Sequence, residues 1–209
     1  MHRLVERDSQ PDGIRRVAVV VAHPDDETLW AGGLLLNHPE WSPCIVTLCR
    51  AGDADRAPKF ARAVEQFHAR GAMGDLDDGP DQVPIAARRV RDAILALLPE
   101  REFDLLVTHA PRGEYTRHRR HEEVARALRW LWERGQLRAR RLWQFAYEDG
   151  GGSYLPRPRR DAGLRLPLCA ATWARKYQLI TQVYGFDAAS WEARAVPRTE
   201  AFTCYLRSP

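Results

Sequence analysis

The stretch Arg16-Val-Ala-Val-Val-Val-Ala22, followed directly by His23-Pro-Asp-Asp-Glu27, decides the fold of this chain. An apolar run of this kind is typical of a strand that is covered on both faces, as the strands of parallel sheets are. The polar residues that come next open a helical pattern over residues 27–36. A buried strand that leads directly into a helix indicates the first half of a β-α-β unit.

Strand and helix patterns alternate through the first two thirds of the chain. Further strands are predicted at 44–49, 104–109 and 142–147, and further helices at 59–70, 83–98 and 121–134. Gly71 is the expected C′ residue of the second helix. The alternation predicts an α/β fold, with a Rossmann-like, mostly parallel sheet and helices on both faces. The active site is then expected at the carboxyl ends of the strands.

The length of 209 residues favours one domain over residues 1–209. Residues 1–14 are a candidate for a disordered tail. Residues 149–209 contain the loop signals Asp149-Gly-Gly-Gly-Ser153 and Pro156-Arg-Pro158, and we expect them to form a cap-like extension of the same domain. Within that extension, helices are predicted at 172–184 and 188–195, and a last strand at 201–206.

Composition and charge exclude some classes of function. No apolar run reaches the ~18 residues that a membrane helix needs, and the charged N-terminus lacks the apolar core of a signal peptide. We therefore expect a cytoplasmic protein without a transmembrane segment. Of the 32 basic residues, 30 are arginine, but glutamates interleave with them where they are densest. Such a mixed face is typically solvated, so no nucleic-acid partner is expected. A homo-oligomer remains open, because the seven tryptophans could pack in a core or at an interface.

The residues after the first strand carry the strongest chemical signal. His23 and Asp26 are three positions apart, so at the start of a helix they can point to the same side. Nitrogen and oxygen ligands suit Zn²⁺. Asp25 must then point elsewhere, as a base that activates water would. An ordinary helix start explains Asp25, Asp26 and Glu27, but it does not explain the preceding His-Pro.

A catalytic zinc site needs a third protein ligand. The candidates are His109, at the end of the third predicted strand, and His121, in the segment His118-Arg-Arg-His121 that follows. An exposed polar loop would also explain His118 and His121 taken alone. Their combination with His23-Pro-Asp-Asp26 favours a metal site, and it leaves the choice between His109 and His121 open.

The motif Ala22-His-Pro-Asp-Asp-Glu27 after a buried strand, with a later His-x-x-His, resembles the PIG-L/LmbE family of zinc-dependent N-deacetylases. That family includes enzymes that act on N-acetylglucosaminyl phosphatidylinositol and on precursors of low-molecular-weight thiols. The resemblance covers residues 15–205 in the order of the predicted elements. It departs at Arg119-Arg120, where the family commonly has Pro-Asp between the two histidines.

The resemblance implies a role for each residue of the two motifs. It implies that His23, Asp26 and His121 bind Zn²⁺ and that Asp25 is the general base. It also implies that His118, in its protonated form, stabilises the oxyanion or protonates the leaving amine.

The resemblance further implies the reaction and its partners. The reaction is hydrolysis of an N-acetyl or related N-acyl group on an amino sugar, so the partner is a small-molecule or glycoconjugate substrate. Arg62 and Asp78 are the implied substrate contacts, although a helical charge pair with Glu65 and a solvated turn would explain these two residues as well.

Two other classes of function compete with this interpretation. A metal-dependent phosphoesterase could use the same ligands, but it usually needs a second metal about 3.5–4 Å away and more carboxylates, for which only Glu27 and Asp53 are obvious candidates. A nucleotide- or nucleic-acid-binding module is disfavoured, because neither a Gly-x-Gly-x-x-Gly nor a Walker sequence follows the first strand.

Overall fold

The structure is a computed structural model that describes residues 13–207. Its strands, in chain order, are β1 Arg16–Val21, β2 Ser42–Thr47, β3 Arg70–Met73, β4 Glu102–Thr108, β5 Arg138–Phe145, β6 Tyr147–Glu148, β7 Arg157–Pro158, β8 Leu164–Pro167 and β9 Thr199–Leu206. Its helices are α1 Asp26–Leu36, α2 Arg56–Gln66, α3 Ala87–Leu97, α4 Arg119–Glu133, α5 Ala170–Gln178 and α6 Trp191–Ala195, and a π-helical segment, Leu179–Val183, continues α5.

Seven of these strands form one sheet in the order β3-β2-β1-β4-β5-β9-β8. The first five pair in parallel, and β9 and β8 add an antiparallel edge. Strand β1 lies between β2 and β4, and its residues Val17–Val21 are fully buried. The predicted α/β fold with a mostly parallel sheet is thus confirmed.

Side chains of β1 alternate between two apolar cores. Val17, Val19 and Val21 face the core that contains α1, α2 and the C-terminal helical segments, while Ala18 and Val20 face the core beneath α3 and α4. Because both faces of β1 are covered by helices, every one of its inner residues is apolar, which is the pattern that the sequence displayed.

The helices differ in how deeply they are buried. Helix α4 has 15 residues, with an exposed side and a buried side that includes His121, Leu128 and Trp132. In α1, all residues from Asp26 to Leu35 are buried. Within residues 13–207 no helix combines the length and the apolar character that crossing a bilayer requires.

The prediction that Gly71 is the C′ residue of the second helix is wrong, because Gly71 lies in strand β3. The helix ends at Gln66, and His68 adopts the left-handed backbone conformation, with a φ of 50°. Gly71 is required for a different reason, because a Cβ there would meet the Val64 side chain at 2.9 Å. Strand β3 escaped prediction because Arg-Gly-Ala-Met contains no apolar run.

The C-terminal part of the chain is built into the sheet and does not only cap it. The predicted strand at 201–206 is confirmed as part of β9, which pairs with β5. Helix α5 packs against α1. At the other end, Ile14 is fully buried in the core, so the predicted disordered tail does not extend to residue 14; residues 1–12 of that predicted tail lie outside the described residues.

Candidate active site

The site lies where β1 and β4 end. The chain leaves β1 through His23, Pro24 and Asp25 and enters α1, and it leaves β4 through His109 and the loop that leads to α4. Because β1 and β4 are parallel neighbours, both segments emerge at the same edge of the sheet. They line a cavity of about 170 Å³ together with residues from the α2 and α6 ends.

Three side-chain atoms face one another at the base of this cavity. His23 Nδ1 lies 3.1 Å from Asp26 Oδ2 and 3.2 Å from His121 Nε2, and His121 Nε2 lies 3.3 Å from Asp26 Oδ2. Ligand atoms of a tetrahedral Zn²⁺, bound at about 2.0–2.1 Å, are about 3.3 Å apart. Two imidazole nitrogens and a carboxylate oxygen this close need a cation or shared protons between them. The three residues His23, Asp26 and His121, called the donor cluster below, therefore fit a metal ion.

The carboxylate of Asp26 is held from several sides. Its Oδ2 accepts the backbone N–H of His23 at 2.9 Å, and its Oδ1 accepts the indole N–H of Trp30 at 3.3 Å. Burial alone would raise the pKa of Asp26, but the charges of His121 and His109 outweigh it and hold that pKa well below its ordinary value. Asp26 is therefore an anion at the centre of the cluster.

Glu114 orients the histidines that follow β4. Its Oε2 lies 2.7 Å from His121 Nδ1 and 2.9 Å from His109 Nδ1, and its Oε1 accepts the backbone N–H of Ala110 at 2.8 Å. Burial opposes ionisation of Glu114, but the two histidines outweigh it and hold its pKa at about 2. A carboxylate behind a ligating histidine fixes the ring and its tautomer. Sequence reasoning missed Glu114, whose only signal was its position in the loop after β4.

His109 belongs to this supporting layer. Its Nε2 lies 2.9 Å from the backbone nitrogen of Ala22 and 3.4 Å from Asp26 Oδ2, while its Nδ1 lies 2.9 Å from Glu114 Oε2. In that arrangement both ring nitrogens are already in use, whereas His121 Nε2 points at the other two donors. Of the two candidates that the sequence left open, this geometry favours His121 as the third ligand.

Asp78 supports His23 from the opposite side. Its Oδ1 lies 3.1 Å from His23 Nε2, and its Oδ2 accepts the Arg50 guanidinium at 2.9 Å. Burial would raise the pKa of Asp78, but the hydrogen bond with His23 and the positive charge of the His23 ring hold that pKa below its ordinary value. The structure thus brings Asp78 to the site, as the sequence implied, but with its carboxylate engaged by His23 and Arg50.

Asp25 points away from Asp26. Its Oδ2 lies 3.2 Å from the Arg56 guanidinium, and its own backbone has a φ of 118°. Burial raises the pKa of Asp25 well above its ordinary value, and the neighbouring charge of Asp26 adds to the shift while Arg56 opposes it. A carboxylate with a raised pKa is suited to accepting a proton near neutral pH.

His118 stands above the donor cluster. Its ring centroid is 4.4 Å from that of His23 and 4.7 Å from that of His121, and its buried Nδ1 has no hydrogen-bond partner among the described residues. Burial, together with positive charge on His121 and His23, lowers the pKa of His118 to about 4. A lowered pKa favours the neutral ring, and the protonated form that the sequence resemblance implies stays a prediction.

Residues 18–131 match the family model described as PIG-L, GlcNAc-PI de-N-acetylase. The chain belongs to the PIG-L family. The matched region contains both histidine motifs and every side chain of the donor cluster, and it ends within α4, before β5 and the antiparallel edge of the sheet.

Solved structures of low sequence identity share the fold of this PIG-L chain. One is the N,N′-diacetylchitobiose deacetylase from Pyrococcus horikoshii, with a TM-score of 0.71 and 13% identity, covering 95% of this chain and 87% of that chain. Another is the 4-carboxy-2-hydroxymuconate hydratase GalB from Pseudomonas putida KT2440, with a TM-score of 0.62, 16% identity, and coverage of 94% and 98%. A third is the zinc-inhibited form of the teicoplanin deacetylase Orf2, with a TM-score of 0.61, 14% identity, and coverage of 92% and 98%.

A sequence relative is known from a virus. An uncharacterized protein of Acanthamoeba polyphaga mimivirus is 22% identical over 124 residues, which are 53% of this PIG-L chain and 55% of the relative. The chain thus spans about half the length of that curated relative. Since the fold also occurs in a hydratase, the reaction has to be argued from the site and not from the fold.

The departure from the PIG-L pattern at Arg119-Arg120 has a structural explanation. Arg119 is exposed, whereas Arg120 is buried and donates to the backbone carbonyls of Asp77 and Val83. Arg120 therefore ties the start of α4 to the loop that carries Asp78. The two arginines leave His118 on the cavity and His121 against His23 and Asp26, and Arg120 holds the segment that supports His23.

The other implied substrate contact, Arg62, does not reach the cavity of this PIG-L protein. It is exposed on α2, and its guanidinium lies 3.5 Å from the Val183 carbonyl oxygen. The cavity is instead lined by Arg56, at the first turn of the same helix, and by Arg50. The two arginines of α2 are six positions apart and so point about 120° apart around the helix axis. Arg56 of this helix therefore lines the cavity and Arg62 does not, and a substrate contact at Arg62 stays a prediction.

Proposed function

We propose that this PIG-L protein is a zinc-dependent hydrolase that removes an N-acetyl or related N-acyl group from an amino sugar or glycoconjugate. The observation that carries the proposal is the donor cluster of His23, Asp26 and His121, with atoms 3.1–3.3 Å apart, beside the separate carboxylate of Asp25. The family description and the neighbours described as deacetylases support the same chemistry.

The metal would be held by His23 Nδ1, Asp26 Oδ2 and His121 Nε2. A set of two nitrogens and one carboxylate oxygen is typical of catalytic zinc sites. When bound, Zn²⁺ supplies a Lewis acid that polarises a carbonyl group and makes water acidic enough to ionise near pH 7. Glu114 and Asp78 keep the two imidazoles oriented, and the positions of the donors do not depend on exposed side chains.

Asp25 is the proposed general base. Its carboxylate faces the cavity beside the donor cluster without belonging to it, and burial raises its pKa well above the ordinary value. A base with such a pKa removes a proton from the attacking water and can return it to the leaving nitrogen. Arg56, at 3.2 Å, keeps the carboxylate ionised and fixes its direction.

His118 is the proposed oxyanion stabiliser. Because its pKa is lowered to about 4, the ring meets the substrate as a neutral imidazole. The ring lines the cavity beside the donor cluster, where a ring N–H can be donated to the oxygen on which negative charge develops.

The cavity favours a short acyl group. Its volume of about 170 Å³ is well below the roughly 300 Å³ at which pockets begin to enclose a whole drug-sized molecule. An acetyl group and the attached nitrogen fit inside, and the rest of the substrate must lie at the opening. There Trp191, which is 37% exposed and packs edge-on against Tyr115, offers an aromatic surface to the apolar face of a sugar ring.

The phosphoesterase alternative gains no support. Among the described residues, every group of potential metal ligands includes His23, Asp26 or His121, so no independent second cluster stands nearby. The two extra carboxylates are engaged elsewhere. Glu27 accepts the Tyr184 hydroxyl at 2.6 Å, and Asp53 accepts the backbone N–H of Arg56 at 3.0 Å.

The test is acetate release by protein loaded with one equivalent of Zn²⁺, by metal-free protein, and by protein in excess Zn²⁺. The panel contains N-acetylglucosamine, N,N′-diacetylchitobiose, an N-acetylglucosaminyl lipid, a phosphate monoester and an enol acid as a hydratase substrate. We expect acetate release from an acetamido sugar only with the metal. Turnover of the phosphate ester or the enol acid alone, or full activity of metal-free protein, would contradict the proposal.

A further inference from the structure

The backbone of Asp25 adopts a conformation that a non-glycine residue rarely takes. Its φ is 118°, in the region that favours glycine. Within residues 13–207, only three other non-glycine residues have a positive φ. Such a conformation costs on the order of 1–3 kcal/mol and persists only where the surroundings enforce it. Asp25 therefore needs a partner that holds its peptide group.

Glu27 is that partner. Its Oε2 accepts the backbone N–H of Asp25 at 3.0 Å, and its Oε1 accepts the hydroxyls of Thr28 at 2.5 Å and Tyr184 at 2.6 Å. The Glu27 side chain is fully buried, so no water competes for these hydrogen bonds. The Glu27 carboxylate, which is not one of the proposed metal ligands, thus accepts three hydrogen bonds from the protein.

Tyr184 reaches Glu27 from a distant part of the chain. Its backbone N–H donates to the carbonyl of Leu179 at 2.9 Å, an i to i−5 bond that belongs to the π-helical segment. This wide turn places the Tyr184 side chain, which is only 1% exposed, against Glu27. π-helical turns often occur at functional sites, because the extra residue redirects one side chain.

We propose that Glu27 and Tyr184 are positioning residues that hold the Asp25 backbone in the orientation its carboxylate needs. This inference rests on the proposed function, in which Asp25 is the base. Asp25 and Asp26 are adjacent, yet their carboxylates must serve different partners, and a regular helical turn would not keep them apart in this way. The positive φ separates them, the Asp25 N–H bond to Glu27 maintains that φ, and Tyr184 keeps Glu27 in place.

The first test compares Tyr184→Phe with Tyr177→Phe as its matched control. Tyr177 lies in the preceding helix, α5, and its ring is partly buried against Trp173. In zinc-loaded protein acting on the acetamido sugar of the panel that turns over fastest, we expect Tyr184→Phe to lower kcat about tenfold and to leave KM within about twofold. Zinc content should stay at the wild-type level in both variants, and Tyr177→Phe should behave as wild type.

The second test does not depend on turnover. Amide hydrogen exchange of the Asp25 N–H, followed by NMR, should accelerate about five- to tenfold in Tyr184→Phe, the size of effect expected for one lost hydrogen bond, and stay unchanged in Tyr177→Phe. Glu27→Gln retains an amide oxygen for Asp25 and an NH₂ group for the Tyr184 oxygen, so it should restore most of the protection that Glu27→Ala loses.

The outcomes separate this inference from the proposed function. Equal kcat and equal Asp25 exchange in Tyr184→Phe and Tyr177→Phe would overturn the inference. Loss of zinc in Tyr184→Phe with unchanged Asp25 exchange would also overturn it, because the pair would then support Asp26. If wild-type protein released no acetate from any compound, the proposed function would fail, while the exchange rates would still decide whether Glu27 and Tyr184 hold Asp25.

Discussion

The two segments that form the site reach it in different ways. After β1, four consecutive residues, His23–Asp26, supply two proposed ligands and the base, and they are held by a strained backbone at the start of a helix that is buried along its length. After β4, the chain runs through a loop from Ala110 to Arg117 before His118 reaches the cavity and His121 reaches His23 and Asp26. Hydrogen bonds hold both segments, but those of Glu27 act on the backbone of Asp25 in the first, whereas those of Glu114 act on the two imidazole rings in the second.

The largest expected effect breaks the second segment. His121→Ala removes a proposed ligand, so we expect zinc affinity to fall by more than the 10–100-fold that loss of an outer partner costs, and acetate release to fall to background. His109→Ala should keep zinc at saturating concentration, because His109 Nε2 faces the Ala22 backbone nitrogen at 2.9 Å and is not one of the three proposed donors. Metal analysis of both variants after dialysis measures this. Zinc retained in His121→Ala and lost in His109→Ala would reverse the assignment.

The next effect concerns the first segment alone. Asp25→Asn removes the proposed base but no donor atom of the cluster, so kcat should fall about 10²–10⁴-fold while the zinc content stays unchanged. Steady-state kinetics with parallel metal analysis checks the split. A variant that turns over at the wild-type rate would show that another group accepts the proton.

The sequence pattern identified the two histidine motifs but not the contacts that hold them, and the reason is physical. His23, Asp25 and Asp26 are neighbours in the chain, and the buried strand before them is a strong local signal. The support of His23 by Asp78 joins residues 55 positions apart, and the ion pair of Arg56 with Asp25 joins residues 31 positions apart, so no local pattern could reveal them.

The fold shows the same division. Central strands β1 and β4 are apolar on both faces and were predicted to within two residues at either end. Edge strands β3 and β8 were missed. Each pairs with only one neighbouring strand and is partly open to solvent, so their sequences, Arg-Gly-Ala-Met and Leu-Arg-Leu-Pro, contain no apolar run. Arg62 was assigned to the site by the family resemblance, which identifies a helix but not which of its polar faces lines the cavity of this chain.

A smaller effect sharpens the role of Glu114. Glu114→Gln keeps the shape of the side chain but removes the charge that faces His121 and His109, so zinc affinity should fall about 10–100-fold without complete loss of metal. Glu133→Gln, at the far end of α4, where the carboxylate pairs with Arg129, is the matched control and should leave zinc affinity unchanged. Competition with a zinc-binding dye measures both. Equal affinities in the two variants would remove Glu114 from the account.

The smallest expected effect is a shift in pH dependence. Asp25 must be ionised to act as a base, so activity should fall as the pH drops through its raised pKa. The Arg56 charge lowers that pKa, so Arg56→Gln should raise it further and move the acid limb of kcat/KM to higher pH. Arg62→Gln, on another face of the same helix, should leave the profile where it is. An acid limb that moves to lower pH in Arg56→Gln, or that moves equally in both variants, would contradict the pairing.

The central claim is that adjacent carboxylates divide the work, with Asp26 holding the metal and Asp25 acting on water. Zinc stoichiometry of the wild type, Asp25→Asn and Asp26→Asn, determined by elemental analysis after identical dialysis, tests it most directly. The account predicts one zinc per chain in the wild type and in Asp25→Asn, and substantially less in Asp26→Asn. Equal zinc in all three proteins, or equal loss in both variants, would contradict it.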